Sequence, residues 1–143
     1  MEYRGATAAD APALAAMNRE LIRDEGHRNP MTITELTDRM AGWLAGEYEA
    51  VVFEEGGRPA GYALYRRSPE YVYLRQFFVR PECRRRGVGR AAVAWLWRHA
   101  WGGGRVRVEV LAGNLAGVAF WRAVGFRDYG LTLELEGGHT EQG

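Results

Sequence analysis

The N-terminal third of the chain combines one short strand with two amphipathic helices. Residues 2–6 are predicted as the strand, and Thr7 is placed to cap a first helix that ends at about residue 22. Apolar side chains recur in this helix at spacings of three and four, so we expect them on one buried face. These residues are Leu14, Met17 and Leu21. After a polar break over residues 23–30, a second helix is predicted over residues 34–43.

Apolar runs and alternating positions predict strands in the rest of the chain, separated by turns and by two further helices. The predicted strands cover residues 50–53, 60–65, 71–79 and 105–111, and a closing strand pair or bulged strand covers residues 126–136. The two helices are predicted over residues 91–101 and 114–124. This order of strands and helices within 143 residues suits a single α/β domain.

A short turn rich in arginine and glycine joins the strand at 71–79 to the helix that follows it. The turn reads Arg84-Arg85-Arg86-Gly87-Val88-Gly89-Arg90. The first N–H groups of a helix have no intrahelical acceptor, and glycine lets the backbone come close to an anion there. The arginines add charge-assisted donors. Because the glycine and lysine spacings of P-loops and dinucleotide fingerprints are absent, the turn predicts a pyrophosphate site of another kind.

Two motifs carry a resemblance to a known family. The turn resembles the R-x-x-G-x-G segment of the GNAT family of acetyl-CoA-dependent N-acetyltransferases, and Phe78-Val79-Arg80-Pro81-Glu82 before it is similar to that family's strand end. A second family signature follows, consisting of Asn114 and Phe120-Trp121-Arg122-Ala123-Val124-Gly125-Phe126. The order of the two signatures, with a strand between them, supports the resemblance over about Leu74 to Phe126.

The resemblance implies both a fold and a reaction. The fold would be a single GNAT-like α/β (α+β) domain over residues 1–143, with a frayed tail at 137–143. Its central sheet would be mixed and mostly antiparallel, splayed between the fourth and fifth strands and flanked by about four helices. Acetyl-CoA would be the co-substrate, and a primary amine of a small molecule or peptide would attack the thioester directly.

The resemblance assigns most contacts with coenzyme A to main-chain groups. The N–H groups of residues 85–90 would hold the pyrophosphate, and the end of the central strand would pair with the pantetheine arm as an added strand. Asn114 would contact the same arm, although its position fits a helix N-cap equally well. The predicted set is Phe77, Phe78, Val79, Arg84, Arg85, Arg86, Gly87, Val88, Gly89, Arg90, Asn114 and Trp121.

The groups that would stabilise the oxyanion and protonate the leaving thiolate are less regular. A main-chain N–H near Phe78 is expected to meet the oxyanion. The family commonly has tyrosine at the position of Trp121, and an indole N–H cannot release its proton at usable pH. Trp121 is also typical of a core aromatic residue. Either water protonates the thiolate, or a phenol does so, with Tyr73 and Tyr129 as candidates.

The amine proton has several candidate acceptors. Glu109 lies on the polar face of its predicted strand, where an ion pair across strands is the structural alternative. A route through water to Tyr73 is a second candidate. The polar break supplies Asp24, Glu25 and His27, which would line the acceptor mouth and attract a cationic amine, or would form an exposed loop.

Arg75 is predicted inside the central strand, and a charge in a buried strand needs a partner. It would pair with Glu109 or Glu47, or it would bind a carboxylate of the acceptor. The sequence leaves these alternatives open.

Composition restricts the remaining classes of function. A net charge of +1 argues against a general nucleic-acid binder, although the arginine turn is locally basic. All 19 basic residues are arginine, and the single cysteine predicts neither an intramolecular disulfide nor a zinc site. No signal core or membrane-spanning run is evident, so we expect a cytoplasmic protein.

The sequence is also compatible with two other functions and with a homodimer. The missing tyrosine is compatible with a non-catalytic module that binds or senses acyl-CoA. The arginine turn is compatible with nucleic-acid binding. A homodimer is compatible with the sequence, and no motif decides for or against it.

Overall fold

The computed structural model describes residues 1–26 and 28–137, which form both strands and helices. In order, the elements are β1 (Glu2–Gly5), a 3₁₀ turn (Ala8–Asp10), α1 (Ala11–Glu25), α2 (Ile33–Ala45), β2 (Tyr48–Glu55), β3 (Arg58–Arg67), β4 (Val72–Val79), a 3₁₀ turn (Pro81–Cys83), α3 (Val88–His99), β5 (Val106–Val108) and α4 (Leu115–Ala123).

The five strands form one sheet in the order β1-β2-β3-β4-β5. All neighbours are antiparallel except β4 and β5, which run parallel. The parallel pairing joins Val72–Leu74 to Val106–Val108 and ends there, while β4 continues to Val79. The predicted mixed, mostly antiparallel sheet that opens between its fourth and fifth strands is therefore confirmed.

The helices cover opposite faces of this sheet. The face toward α1 and α2 holds one apolar cluster, which includes Leu14, Met17, Leu21 and Met40 with Phe78 of β4. The other face packs against α3 and α4 through a second cluster, which includes Phe53, Tyr65, Leu74, Leu96, Trp101 and Trp121. The sheet thus lies between two helical layers, and this arrangement confirms the predicted α/β domain.

Helix α1 confirms the predicted stripe but is longer than predicted. The three residues of this stripe, Leu14, Met17 and Leu21, are all buried. The helix continues to Glu25 and ends at Gly26, whose φ of +68° is the left-handed conformation that favours glycine. The first residues of the predicted polar break, including Asp24, are therefore helical. Helix α2 begins at a capping box in which Thr32 accepts from the N–H of Glu35.

Helix α3 begins earlier than predicted. It starts at Val88 rather than at residue 91, because Gly87 has a φ of +76° and serves as its N-cap. Gly89 and Arg90 consequently belong to the first helical turn instead of to the preceding loop.

The predicted closing strand over residues 126–136 is wrong. No strand forms in this segment, and residues 127–135 make no main-chain hydrogen bond with any described part of the chain. A strand needs a neighbouring backbone, and β5, although its Arg107 side chain contacts Tyr129, forms no main-chain pairing with this segment. Its alternating leucines are exposed: Leu131 by 89%, Leu133 by 87% and Leu135 by 93%.

Within residues 1–26 and 28–137, no helix has the length and apolar character required to cross a membrane. Residues 138–143, which make up most of the predicted frayed tail, lie outside the described residues.

Candidate active site

A cleft of about 950 Å³ opens where β4 and β5 separate. Helices α1 and α2 border one end, and the first turns of α3 and α4 border the other. Most of the predicted site residues line it: Asp24, Glu25, Tyr73, Arg75, Phe77, Phe78, Val79, Arg84, Arg85, Gly87, Val88, Gly89, Arg90, Glu109, Asn114 and Trp121. Elements distant in sequence are thus brought to one place.

Three predicted residues are not among the cleft lining. Arg86 points elsewhere and pairs with Glu55 at 2.7 Å. Tyr129 is 79% exposed, and its phenol accepts a hydrogen bond from Arg107 at 2.9 Å. His27 lies outside the described residues.

The turn before α3 presents unpaired amides to the cleft. The first main-chain bond of the helix runs from the N–H of Ala91 to the C=O of Gly87 at 2.9 Å. The N–H groups of Val88, Gly89 and Arg90 precede it and have no helical acceptor. These amides and the positive end of the helix dipole favour an anion at this corner of the cleft.

Gly89 is required for packing as well as for access. A Cβ at this position would lie 3.0 Å from Cε1 of Phe120 and 3.7 Å from Cγ2 of Val79. The first turn of α3 therefore sits directly against α4. At Gly87, by contrast, a Cβ would meet nothing within 4 Å, so the space beside this residue is open.

Arg84 braces the turn, whereas two of its neighbours are available to a ligand. The Nε of Arg84 donates to the C=O of Val79 at 2.7 Å, and its Nη2 pairs with Asp24. In the described part of the chain, Arg85 and Arg90 line the cleft without a carboxylate at ion-pair distance. The charge of Asp24 is therefore offset, while two guanidinium groups remain for an anion.

The register of β3 and β4 determines which amides of β4 face the cleft. The N–H of Arg80 donates to the C=O of Ala60 at 2.7 Å. Directly beside this bond, Val79 lies opposite Gly61. In an antiparallel ladder such a pair is a non-hydrogen-bonded one, so the N–H and C=O of Val79 point away from β3. The bond from Arg84 to the Val79 carbonyl fits this direction.

Amide directions alternate along a strand, so neighbouring residues of β4 differ. Phe78 lies opposite Tyr62 in a hydrogen-bonded position, and its N–H is directed to β3. The N–H of Phe77 points to the other side, where pairing with β5 has already ended at Leu74. The amides of β4 that open into the cleft are therefore those of Phe77 and Val79.

Tyr73 and Glu109 form a hydrogen-bonded pair across the parallel strands. The Oη of Tyr73 donates to Oε1 of Glu109 at 2.7 Å. Burial, together with this bond to a carboxylate, raises the pKa of Tyr73 to about 12. At neutral pH the phenol is therefore protonated and orients the carboxylate of Glu109 at the cleft wall.

Asn114 and Trp121 combine structural contacts with positions on the cleft. Oδ1 of Asn114 accepts from the N–H of Gly117 at 3.0 Å, which confirms the N-cap of α4. Trp121 is buried and packs edge-to-face on Phe77 at 5.2 Å between ring centroids and on Phe126 at 5.1 Å. The indole is thus a core aromatic residue that also borders the cleft.

Comparison with known proteins places this site in a family. The chain matches the family model of the acetyltransferase (GNAT) family over residues 14–126. It belongs to the GNAT family of acyltransferases. The match extends well upstream of the two motifs and includes most of α1, all of α2 and strands β2 and β3.

Solved structures share the GNAT fold at low sequence identity. The BH1408 protein from Bacillus halodurans, solved as a tetramutant, is 20% identical with a TM-score of 0.76, and the alignment covers 95% of this chain and 99% of that one. A predicted acetyltransferase with acetyl-CoA from Clostridium acetobutylicum is 20% identical with a TM-score of 0.75, covering 94% and 95%. The aminoglycoside N-acetyltransferase AAC(6')-Iy in complex with CoA is 16% identical with a TM-score of 0.75, covering 94% and 93%. No curated protein sequence matches the chain at a significant level.

The end of the GNAT cleft between α1, α2 and β4 contains residues that the sequence did not single out. Asn18 is 1% exposed and accepts from Nη2 of Arg39 at 3.1 Å. The buried phenol of Tyr62 donates to Gln76 at 2.8 Å. A signal for Asn18 existed, because it follows Leu14 by four positions and so places a polar group on the buried stripe. Arg39 gave a weaker signal, because it follows Leu36 by three positions and precedes Trp43 by four, at the edge of the apolar stripe of α2.

Proposed function

We propose that this GNAT protein transfers the acetyl group of acetyl-CoA to a primary amine of a small molecule or peptide by direct attack on the thioester. The observation that carries the proposal is the set of unpaired amides at the first turn of α3, which open into the cleft beside the parted strands. Family membership supports the reaction class, and three solved relatives carry acetyl-CoA, CoA or a CoA bisubstrate analogue in their complexes.

Acetyl-CoA would lie along the diverging end of β4. The N–H groups of Val88, Gly89 and Arg90 would receive its pyrophosphate, with Arg85 and the Arg90 guanidinium as charged donors. The outward-facing main chain at Phe77 and Val79 would pair with the pantetheine arm as an added strand does. The side chain of Arg86 is not available for this role, because it is paired with Glu55.

The acyl transfer step would use groups at the centre of the cleft. The amine nitrogen attacks the thioester carbonyl carbon, the C–S bond breaks, and CoA leaves as the thiolate. The N–H of Phe77, rather than that of Phe78, would stabilise the oxyanion, because the amide of Phe78 is directed to β3. Glu109, oriented by Tyr73, would accept the amine proton directly or through one water.

The thiolate would be protonated by water. A phenol with a pKa of about 12 cannot give its proton readily to a thiolate whose conjugate acid has a pKa of about 8.5. This difference argues against Tyr73 as the acid. Tyr129 is outside the cleft, and the Trp121 indole does not ionise. A thiolate with this pKa is a fair leaving group, so turnover does not require a protein acid.

We also propose that the protein is a homodimer in which residues 127–136 of each copy add to the sheet edge of the other. These residues alternate leucine with Thr132, Glu134 and Glu136, which is the period of a half-buried strand. The leucines are exposed, and residues 127–135 make no main-chain hydrogen bond in the described part of the chain. Strand β5 is an edge of the sheet.

Each copy offers both a segment and an edge, so the exchange closes as a symmetric dimer. The single domain and a cytoplasmic location remain part of the proposal, the latter because acetyl-CoA is an intracellular substrate.

The test of the proposed activity is release of free CoA thiol from acetyl-CoA in the presence of a panel of primary amines. The proposal expects amine-dependent thiol release with the acetylated amine as product. Binding of acetyl-CoA without turnover of any amine would contradict it and would favour a sensing role.

A further inference from the structure

Two arginines at the α1–α2 end of the cleft share one aromatic ring. The Cζ of Arg39 lies 4.4 Å from the ring centroid of Trp43, and the Cζ of Arg75 lies 4.7 Å from the same centroid. Arg39 comes from α2 and Arg75 from β4, and both line the cleft. Stacking on an indole holds a guanidinium in place while leaving its N–H edge free to bind.

The position of Arg75 is set by a bulge in β4. Gln76 pairs with Leu64 and Leu74 pairs with Tyr65, so Arg75 is the extra residue between two paired positions. Bulges of this kind redirect a side chain and often lie beside functional sites. The side chain reaches the aromatic rings of α2 and β2, where its Nη1 lies 3.3 Å from the Oη of Tyr48.

Neither arginine has an acidic partner in residues 1–26 and 28–137. Two other arginines of the cleft do form ion pairs, Arg28 with Glu134 and Arg84 with Asp24. Within the described residues, Arg39 and Arg75 form none. Glu109, which the sequence offered as a partner of Arg75, binds Tyr73 instead. Within the described residues, the guanidinium of Arg39 donates only to Asn18 and that of Arg75 only to Tyr48, and both acceptors are neutral.

The surroundings of the two guanidinium groups favour an anionic ligand. The Nε of Arg39 is buried without a hydrogen-bond partner. Burial, and then the nearby charge of Arg75, lower the pKa of the Arg39 guanidinium below its usual value. Like charges held close together with an unsatisfied donor are costly unless a ligand offsets them.

We propose that the acceptor amine also carries a carboxylate, which binds between Arg39 and Arg75. The inference rests on the proposed acetyl transfer and specifies its acceptor as an amino acid or a short peptide with a free carboxylate. Planar guanidinium forks match the two oxygens of a carboxylate. The acceptor would therefore be zwitterionic, with its amine directed to Glu109 and its carboxylate to the two arginines.

The strand geometry restricts the size of this acceptor. Phe77, whose N–H faces the reaction centre, lies two positions after Arg75 in β4, and a strand rises roughly 7 Å over two residues. An amine and a carboxylate joined by a few bonds span this distance once the guanidinium reach is included. A polycationic amine has no group that would offset Arg39 and Arg75, so aminoglycosides are expected to be poor acceptors.

Binding of product analogues tests the carboxylate site without requiring turnover. The CoA-bound protein is titrated calorimetrically with the N-acetyl forms of the common amino acids and with their primary amides, which keep the shape and remove the charge. The carboxylates should bind about 10-fold or more tightly than the amides, as expected for a charged hydrogen bond. Arg75→Gln and Arg39→Gln should each abolish most of this difference.

The control variant is Arg98→Gln, which removes the same charge from an exposed position of α3 away from the cleft. It should keep the wild-type preference. Equal affinity for carboxylates and amides, absence of binding by any acetylated amino acid, or an unchanged preference in Arg75→Gln would each overturn the inference.

Kinetics separate this inference from the proposed function. With amines that turn over, kcat/KM should be at least about 10-fold higher for an amino acid than for its amide, and Arg75→Gln should act mainly on the acceptor KM. Efficient turnover of amines that lack a carboxylate would keep the acetyltransferase proposal and overturn the carboxylate site. If no amine turns over, the function fails, and the titration still decides the site.

Discussion

The phenol of Tyr73 donates a 2.7 Å hydrogen bond to the carboxylate of Glu109 at the point where β4 and β5 begin to part. The two strands are parallel here, with Tyr73 opposite Arg107, so the carboxylate two positions later reaches back over the neighbouring strand. The bond explains how the carboxylate of Glu109, which directly follows the edge strand β5, is held in one orientation toward the cleft.

We expect Glu109→Gln to lower kcat strongly. If Glu109 accepts the amine proton, its loss should reduce kcat about 100-fold or more, the usual contribution of a general base. The KM for acetyl-CoA should stay within a few-fold of wild type, because the pyrophosphate site lies at α3. Steady-state thiol release at saturating amine measures both values, and a kcat within two-fold of wild type would exclude Glu109 as the base.

The raised pKa of Tyr73 predicts a specific dependence of stability on pH. The folded-state pKa of Tyr73, about 12, lies above the ordinary tyrosine pKa of 10.0, so the folded state binds the phenolic proton more tightly than the unfolded state does. This contribution is complete below pH 10 and is lost as the pH rises through 12. The difference in unfolding free energy between wild type and Tyr73→Phe should therefore decrease between pH 9 and pH 12.

Urea denaturation at several pH values measures this difference. Tyr129→Phe, at an exposed position outside the cleft, is the matched control for loss of a phenol. A wild-type advantage over Tyr73→Phe that stays constant across this pH range would contradict the predicted linkage.

Arg85 and Arg90 should contribute to coenzyme A affinity through charge. Replacing either by glutamine should weaken CoA binding about 10-fold, consistent with loss of one charge-assisted hydrogen bond. Arg86→Gln, in which the lost partner is Glu55, should change the affinity much less. Isothermal titration with CoA compares the three variants, and an equal loss in all three would indicate a general electrostatic effect instead of a local contact.

The exposed leucines should control the oligomeric state. Replacing Leu131, Leu133 and Leu135 together by serine should convert a dimer into a monomer, because the exchanged strand would lose its apolar face. Leu115→Ser, which changes a leucine that is 77% exposed on α4, is the control and should remain dimeric. Sedimentation equilibrium decides the outcome, and a monomeric wild type would rule out the proposed exchange.

Sequence patterns predicted those parts of the site whose residues are close together along the chain. The turn from Arg84 to Arg90 was found because unpaired helix amides, glycine and arginine occur together within a few residues. The helix after this turn begins at Val88, earlier than predicted. Gly89 suggested a loop, but glycine is needed at this helical position because Phe120 approaches it closely.

The rest depends on contacts between distant segments. The alternation over residues 131–136 predicted a strand, but no strand forms there, because residues 131–135 have no main-chain partner in the described part of the chain. Arg39 and Trp43 are one turn apart on α2, but Arg75 of β4 reaches the same ring only through the fold, which no spacing along the sequence reveals. The direction of the Phe77 amide likewise follows from the register with β3.

The central claim is that the free amides of the first turn of α3 hold the pyrophosphate of coenzyme A. The most direct measurement is a titration of ¹⁵N-labelled protein with CoA and, separately, with pantetheine, which lacks the pyrophosphate. The account predicts large shifts of the amide resonances of Val88, Gly89 and Arg90 with CoA and little change at these positions with pantetheine. Saturation with CoA that leaves these three amides unmoved would contradict it.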